Sequence, residues 1–294
     1  RTILLVFLFC LLFFIYLFWP YLWEDPIRRF WGAIVGMSHY GVAQDFDLEM
    51  LYFGDFIWSR SVPWHYLPVW IGITTPIVYW ALALIGAITM TFQLIMRPQK
   101  VLEEGRARFG LLILIMFFGP IITVIVVKST LLDGWRHMYF CYPALVLLAI
   151  MGLVSVSKLT VEGVRSLKVR LVQYVTGFAL VLSIVSTVAN MYINHPHQYA
   201  YFNVLAGNDI ARNWELDYWG SSFRQGLERV LAIDDSPNIN ISFSALTPGE
   251  GNLSIMKGED RERLNIVEES QAKYHLSNYR FKNDYGRFHA NQTP

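Results

Sequence analysis

The 294-residue chain is 54% hydrophobic and 16% aromatic, with mean hydropathy +0.35, which is too apolar for an ordinary soluble domain and points to membrane spans. A formal net charge of +1 leaves no basic stripe for a nucleic-acid backbone. The two cysteines, Cys10 and Cys141, both lie in apolar runs and read as packing residues, which argues against a disulfide scaffold or a zinc site.

From its first residue the chain runs straight into TILLVFLFCLLFFIYLFW, without the short apolar core or small-residue cleavage site of a signal peptide. It reads as the C-terminal part of a longer protein. Five apolar segments of about 20 residues, at 2–23, 67–96, 109–128, 138–157 and 171–193, can cross a hydrocarbon core as helices. After the first, DPIRRFWGAIVGMSH (25–39) predicts an amphipathic helix lying in the interface plane. Pro26 suits its first turn, and Ile27, Phe30, Ile34 and Met37 recur at helical spacing. The rest of the 24–66 segment reads as an aromatic-rich loop. Pro76 and Pro120 fall inside apolar runs, where neighbouring helices must supply donors to the carbonyls they free.

Arg97, Lys100, Arg106 and Arg108 follow the second segment; Lys158, Arg165, Lys168 and Arg170 follow the fourth. Two basic loops separated by two spans share a side, which the positive-inside rule makes cytoplasmic. The segments 24–66 and 128–137 and the tail after 193 then face outward. The predicted fold is an α-helical polytopic membrane domain over 1–193 and a small outward-facing α/β domain over 194–294. In that tail, 215–233 predicts a loop feeding a helix with Phe223, Leu227 and Val230 on one side, while NINISFSA and RLNIV predict strands. The end, RFKNDYGRFHANQTP (280–294), is expected to be disordered or loosely packed.

Candidate chemistry gathers at the outward loops. In LLDGWRHMYFCYP (131–143), Arg136 offers a planar fork of donors suited to phosphate and His137 a second donor, with Asp133 placed to orient Arg136. The plain alternative is a snorkelling arginine beside an interfacial Trp135. In SRSVPWHY, Arg60, Trp64, His65 and Tyr66 collect a cation, stacking surfaces and donors; with His39 and Tyr52 they are candidate substrate-cavity residues, or else an aromatic belt. Asp45, Asp47, Glu49 and Asp55 match no metal-binding loop and fit a solvated loop equally well, so no divalent metal is expected. In the tail, Asp217, Tyr218 and Trp219 could touch substrate, though a packing seam is the better reading. P-loop, GxSxG, HExxH, CxxC and glycine-rich dinucleotide signatures are missing from the sequence.

Five stretches in order, WPYLWEDP (19–26), SVPWHYLPVWIGITTP (61–76), DGWRHMYFCYPALVLLA (133–149), HPHQYAYFNVLAGN (195–208) and ELDYWGSS (215–222), resemble the C-terminal half of membrane glycosyltransferases of family 39 type. These are relatives of dolichyl-phosphate-mannose protein mannosyltransferases and lipid A aminoarabinose transferases. The resemblance implies a GT-C fold that moves a sugar from a polyprenyl-phosphate donor to a glycan, lipid or protein acceptor on the outer face. It implies no cofactor, and an acidic base upstream of these residues. It carries Arg136 and His137 onto the donor-phosphate region and the PWHY element onto the same cavity. A non-catalytic subunit that binds the lipid-linked sugar or assembles with a transferase is the alternative. A transporter fits less well, because the span centres hold almost no ionisable residues.

Overall fold

A computed structural model of the chain describes residues 2–38, 47–158 and 167–280. The chain divides into two compact units, Arg1–Leu48 and Glu49–Pro294, so the tail after 193 belongs to one unit with most of the apolar helices.

In the first unit, α1 (Thr2–Phe18) stops short of the expected 2–23 span because the residue before a proline is pushed out of helical geometry: Trp19 sits at φ −118°, ψ 83°, ahead of Pro20. Helix α2 (Pro26–Ser38) is the expected amphipathic element, and Asp25 accepts the Arg28 amide at 3.1 Å to cap it. His39 and Asp45 lie outside the described residues.

The second unit opens with a hairpin, β1 (Glu49–Tyr52) and β2 (Asp55–Trp58), where a loop was expected. Phe53 and Gly54 both take positive φ, 54° and 84°, as a two-residue turn between right-twisting strands requires.

The predicted 67–96 span is broken. Helix α3 (Tyr66–Thr74) ends at Thr75–Pro76, and α4 (Ile77–Met96) begins beyond it. The carbonyls freed by the break find specific donors. Asn203, buried in the tail, gives its side-chain amide to Gly72 O and Thr75 O, both at 2.6 Å, and its backbone amide to Ile73 O at 2.8 Å. Trp80 Nε1 reaches Ile71 O at 3.0 Å. Asn203→Ala leaves two of these buried carbonyls without a donor, and should lower thermal stability by about 2–3 kcal/mol. An unchanged melting temperature in detergent would count against this account.

A short helix, α5 (Lys100–Glu103), leads into α6 (Gly105–Val127), which ends where Lys128 adopts the left-handed conformation. A 3-10 turn over Arg136–Cys141 feeds α7 (Tyr142–Lys158), and α8 (Leu167–Ile193) follows. Among the described residues, four helical stretches are long and apolar enough to cross a membrane, at 77–96, 105–127, 136–158 and 169–193, one fewer than the sequence led us to expect. The tightest pair is α4 and α7. A Cβ on Gly86 would collide with the Leu148 carbonyl, and one on Gly152 with the Leu82 carbonyl, so small residues let the two backbones touch. Thr89 Oγ1 and Ser155 Oγ meet at 3.3 Å further along the same seam.

After α8 the chain returns through α9 (Ile210–Asn213) to a small α/β layer: α10 (Ser222–Ile233), β3 (Ile239–Phe243), α11 (Leu246–Ser254), α12 (Gly258–Glu262), β4 (Leu264–Ile266) and β5 (Tyr274–Leu276). The sheet order is β4-β3-β5, all parallel. Phe223, Leu227 and Val230 of α10 pack on Ile239 and Ile241, the face the sequence predicted. The third strand, β5, was not expected from the sequence.

Candidate functional site

The loop between α6 and α7 is set by two consecutive left-handed residues, Asp133 (φ 53°) and Gly134 (φ 73°). Asp tolerates this conformation better than most residues. At Gly134 a side chain would also press on the Trp70 ring, whose nearest carbon lies 3.4 Å from the Cβ position. The Gly134 amide donates to Tyr66 Oη at 3.1 Å, and Trp135 Nε1 to Thr74 Oγ1 at 2.9 Å. The loop is thus pinned to α3, and Tyr66 is a buried strut rather than a surface donor.

This turn aims Asp133 inward, at 2% side-chain exposure. One carboxylate oxygen meets Arg136 Nη2 and the other Arg280 Nη2, each at 2.6 Å. Arg280 also places Nε 3.2 Å from Glu215 Oε1 and gives Nη1 to the Tyr218 carbonyl at 2.9 Å. Four ionisable residues from three distant stretches therefore share one buried cluster. The Arg136 guanidinium lies over Trp219 at 4.7 Å and Tyr218 at 5.3 Å, so aromatic faces supply the rest of its surroundings. Neither Glu215 oxygen has an aligned hydrogen bond among the described residues. Burial, followed by the negative charge of Asp133, pushes its pKa up to about 8. Glu215 is a neutral acid at physiological pH. The adjoining cavity is about 20 Å³, room for one water.

The expected donor-phosphate trio thus separates. Asp133 does orient Arg136, but that guanidinium is already paired and stacked, and His137 is exposed. Glu215 and Arg280, which complete the cluster, were not singled out by sequence. Arg280 falls in the end expected to be disordered or loosely packed, yet its side chain is only 13% exposed and lies against two buried carboxyl groups; 281–294 lie outside the described residues. A pairing across 147 positions leaves no local signal.

The SRSVPWHY element also divides. Arg60 and Trp64 line a cavity of about 370 Å³ together with Lys128, over an apolar wall that includes Leu67, Val124 and Ile125. Leu131 donates to Ser59 O at 3.2 Å, which fixes this wall against the loop that carries Asp133. His65 turns the other way, its Nδ1 2.6 Å from Tyr52 Oη, and Tyr52 packs edge-on against Trp214. Tyr52 and His65 thus stabilise the hairpin rather than the cavity. Lys128 was overlooked by sequence reasoning because it read as the end of a span.

Asp217 is architectural. It accepts the amides of Ser221 and Ser222 at 2.9 and 2.8 Å, and the hydroxyls of Ser222 and Tyr199, capping the start of α10. Tyr218 and Trp219 form the aromatic cover on Arg136, the packing role preferred from sequence. No family model, curated protein or solved structure matches the chain.

Proposed function

We propose that this chain takes part in moving a sugar from a polyprenyl-phosphate donor to an acceptor at the outer membrane face, within a GT-C-type transferase. The observation that carries the reading is the Arg60–Lys128 cavity. Two cations and an exposed indole sit above apolar side chains at the end of a candidate span, which suits a phosphate on a lipid chain. The resemblance to family 39 transferases points to the same chemistry. The donor phosphate then belongs with Arg60 and Lys128, and Arg136 acts behind it by holding Asp133 in place.

One feature favours the second reading, a binding or assembly subunit without turnover. Both carboxyls of the cluster are buried against arginines, so neither is poised to take a proton from an acceptor. Binding and turnover separate the two. In membranes carrying the native protein, Arg60→Gln and Lys128→Gln should each weaken binding of a radiolabelled polyprenyl-phosphate sugar roughly ten- to a hundred-fold, the value of a charged hydrogen bond. Gln at 128 removes the charge without changing the demand of the left-handed turn. Undiminished binding in both variants would overturn the cavity assignment. Binding without sugar transfer by the unaltered protein would select the second reading.

A further inference from the structure

We infer that the opposite end of the helix bundle holds a binding site for an anionic glycerophospholipid. There the C-terminal ends of α4 and α7 and the start of α6 come together around two crevices that share Met90, Gln93 and Arg106. The first, about 580 Å³, is edged by Arg97, Lys100 and Arg106; the second, about 460 Å³, by Arg106 and Lys158. Lys100 is partly neutralised by Glu104, 2.7 Å away. Arg97, Arg106 and Lys158 make no ion pair among the described residues, and all three are exposed.

Below this basic rim the walls turn apolar. Phe92 and Met96 line one crevice, and Phe109, Ile150 and Val154 the other. Cations at the mouth and hydrocarbon along the helices are complementary to one kind of occupant, an anionic phosphodiester on acyl chains. A basic pocket between helices at a membrane surface recognises such a headgroup by charge. A free anion would satisfy the rim and leave the apolar walls bare. A zwitterionic lipid would fill the walls and bring its own cation to the rim. The site is independent of the sugar-transfer reading, since it lies at the far end of the same helices.

The test uses the full chain in neutral detergent, titrated with phosphatidylglycerol or phosphatidylcholine, with native mass spectrometry counting retained lipid and thermal unfolding followed in parallel. The unaltered chain should retain phosphatidylglycerol about ten-fold more strongly, the contribution of one or two rim cations. The Arg106→Gln/Lys158→Gln double variant should lose that preference, whereas Arg229→Gln/Arg261→Gln, an equal loss of charge at two exposed positions of the tail, should keep it. For the unaltered chain, raising ionic strength should shrink the preference, which checks the idea even if the double variant fails to fold. Equal retention of the two lipids, a preference indifferent to salt, or equal stabilisation by inorganic phosphate would overturn the inference.

Discussion

Gly152→Ala should be among the most damaging single-methyl substitutions in the chain, costing about 3 kcal/mol or more and lowering the yield of folded protein in membranes. The added Cβ would collide with the backbone carbonyl of Leu82, which cannot rotate away as a side chain can. Gly86, whose Cβ would strike the Leu148 carbonyl, marks the same seam from the other helix. Relief requires α4 and α7 to separate, which breaks the Thr89–Ser155 contact and opens voids around Leu82, Ala83, Leu145 and Leu148, all buried there. Close approach of two apolar helices rests on dispersion, which falls steeply with distance, so a small displacement is expensive. Gly177 in α8 is the control, because a Cβ there meets nothing within 4 Å. Gly177→Ala should leave stability unchanged or raise it by up to about 1 kcal/mol through helix propensity. Thermal unfolding of both variants in detergent decides the matter: equal behaviour would show that the seam is not close-packed.

What could be read in advance divides along physical lines. Three of the five apolar runs became uninterrupted long helices because unbroken apolarity over about 20 residues is itself a strong signal. The two exceptions trace to prolines, Pro20 truncating α1 and Pro76 splitting α3 from α4. The sequence placed Pro76 inside a run and required neighbours to satisfy its freed carbonyls. It did not say that Asn203, well over a hundred residues away, would be the neighbour. The α10 face and strand β3 were legible from periodicity alone. The hairpin at 49–58 was masked by its aromatic content, although Phe53–Gly54 carries a turn signal. At the candidate site, Asp133 and Arg136 were legible because they lie only three positions apart. Glu215 and Arg280 were not, since burial of a charge depends on what the chain brings back to it rather than on what flanks it.

The cluster those residues form should make the stability of the protein depend on pH in a defined direction. Glu215 keeps its proton up to about pH 8 in the folded state, against an ordinary value of 4.5. The folded protein therefore binds one more proton than the unfolded chain between those values. Because its folded pKa is raised, the contribution of this group is fully present below about pH 4.5 and is lost as pH rises through about 8. The expected fall is about 1 kcal/mol for each pH unit in that window. Glu215→Gln keeps the shape and the neutral hydrogen-bonding of the protonated acid, so it should flatten the slope without unfolding the protein. Asp133→Asn should behave in the opposite way. It leaves Arg136 and Arg280 facing each other without their shared carboxylate, the kind of broken buried pair that costs about 3–5 kcal/mol. Part of that loss should be recovered once Glu215 ionises and takes over Arg280 at its present 3.2 Å separation, at a lower pH than in the parent because the Asp133 charge that helps to raise its pKa is gone. Melting temperatures of the three proteins from pH 5 to pH 9 test both halves of the argument. A slope that survives in Glu215→Gln would mean that another group binds the extra proton. An Asp133→Asn variant as stable as the parent would mean that the two arginines are solvated, and that the cluster is a surface feature rather than the clamp joining the loop before α7 to the tail.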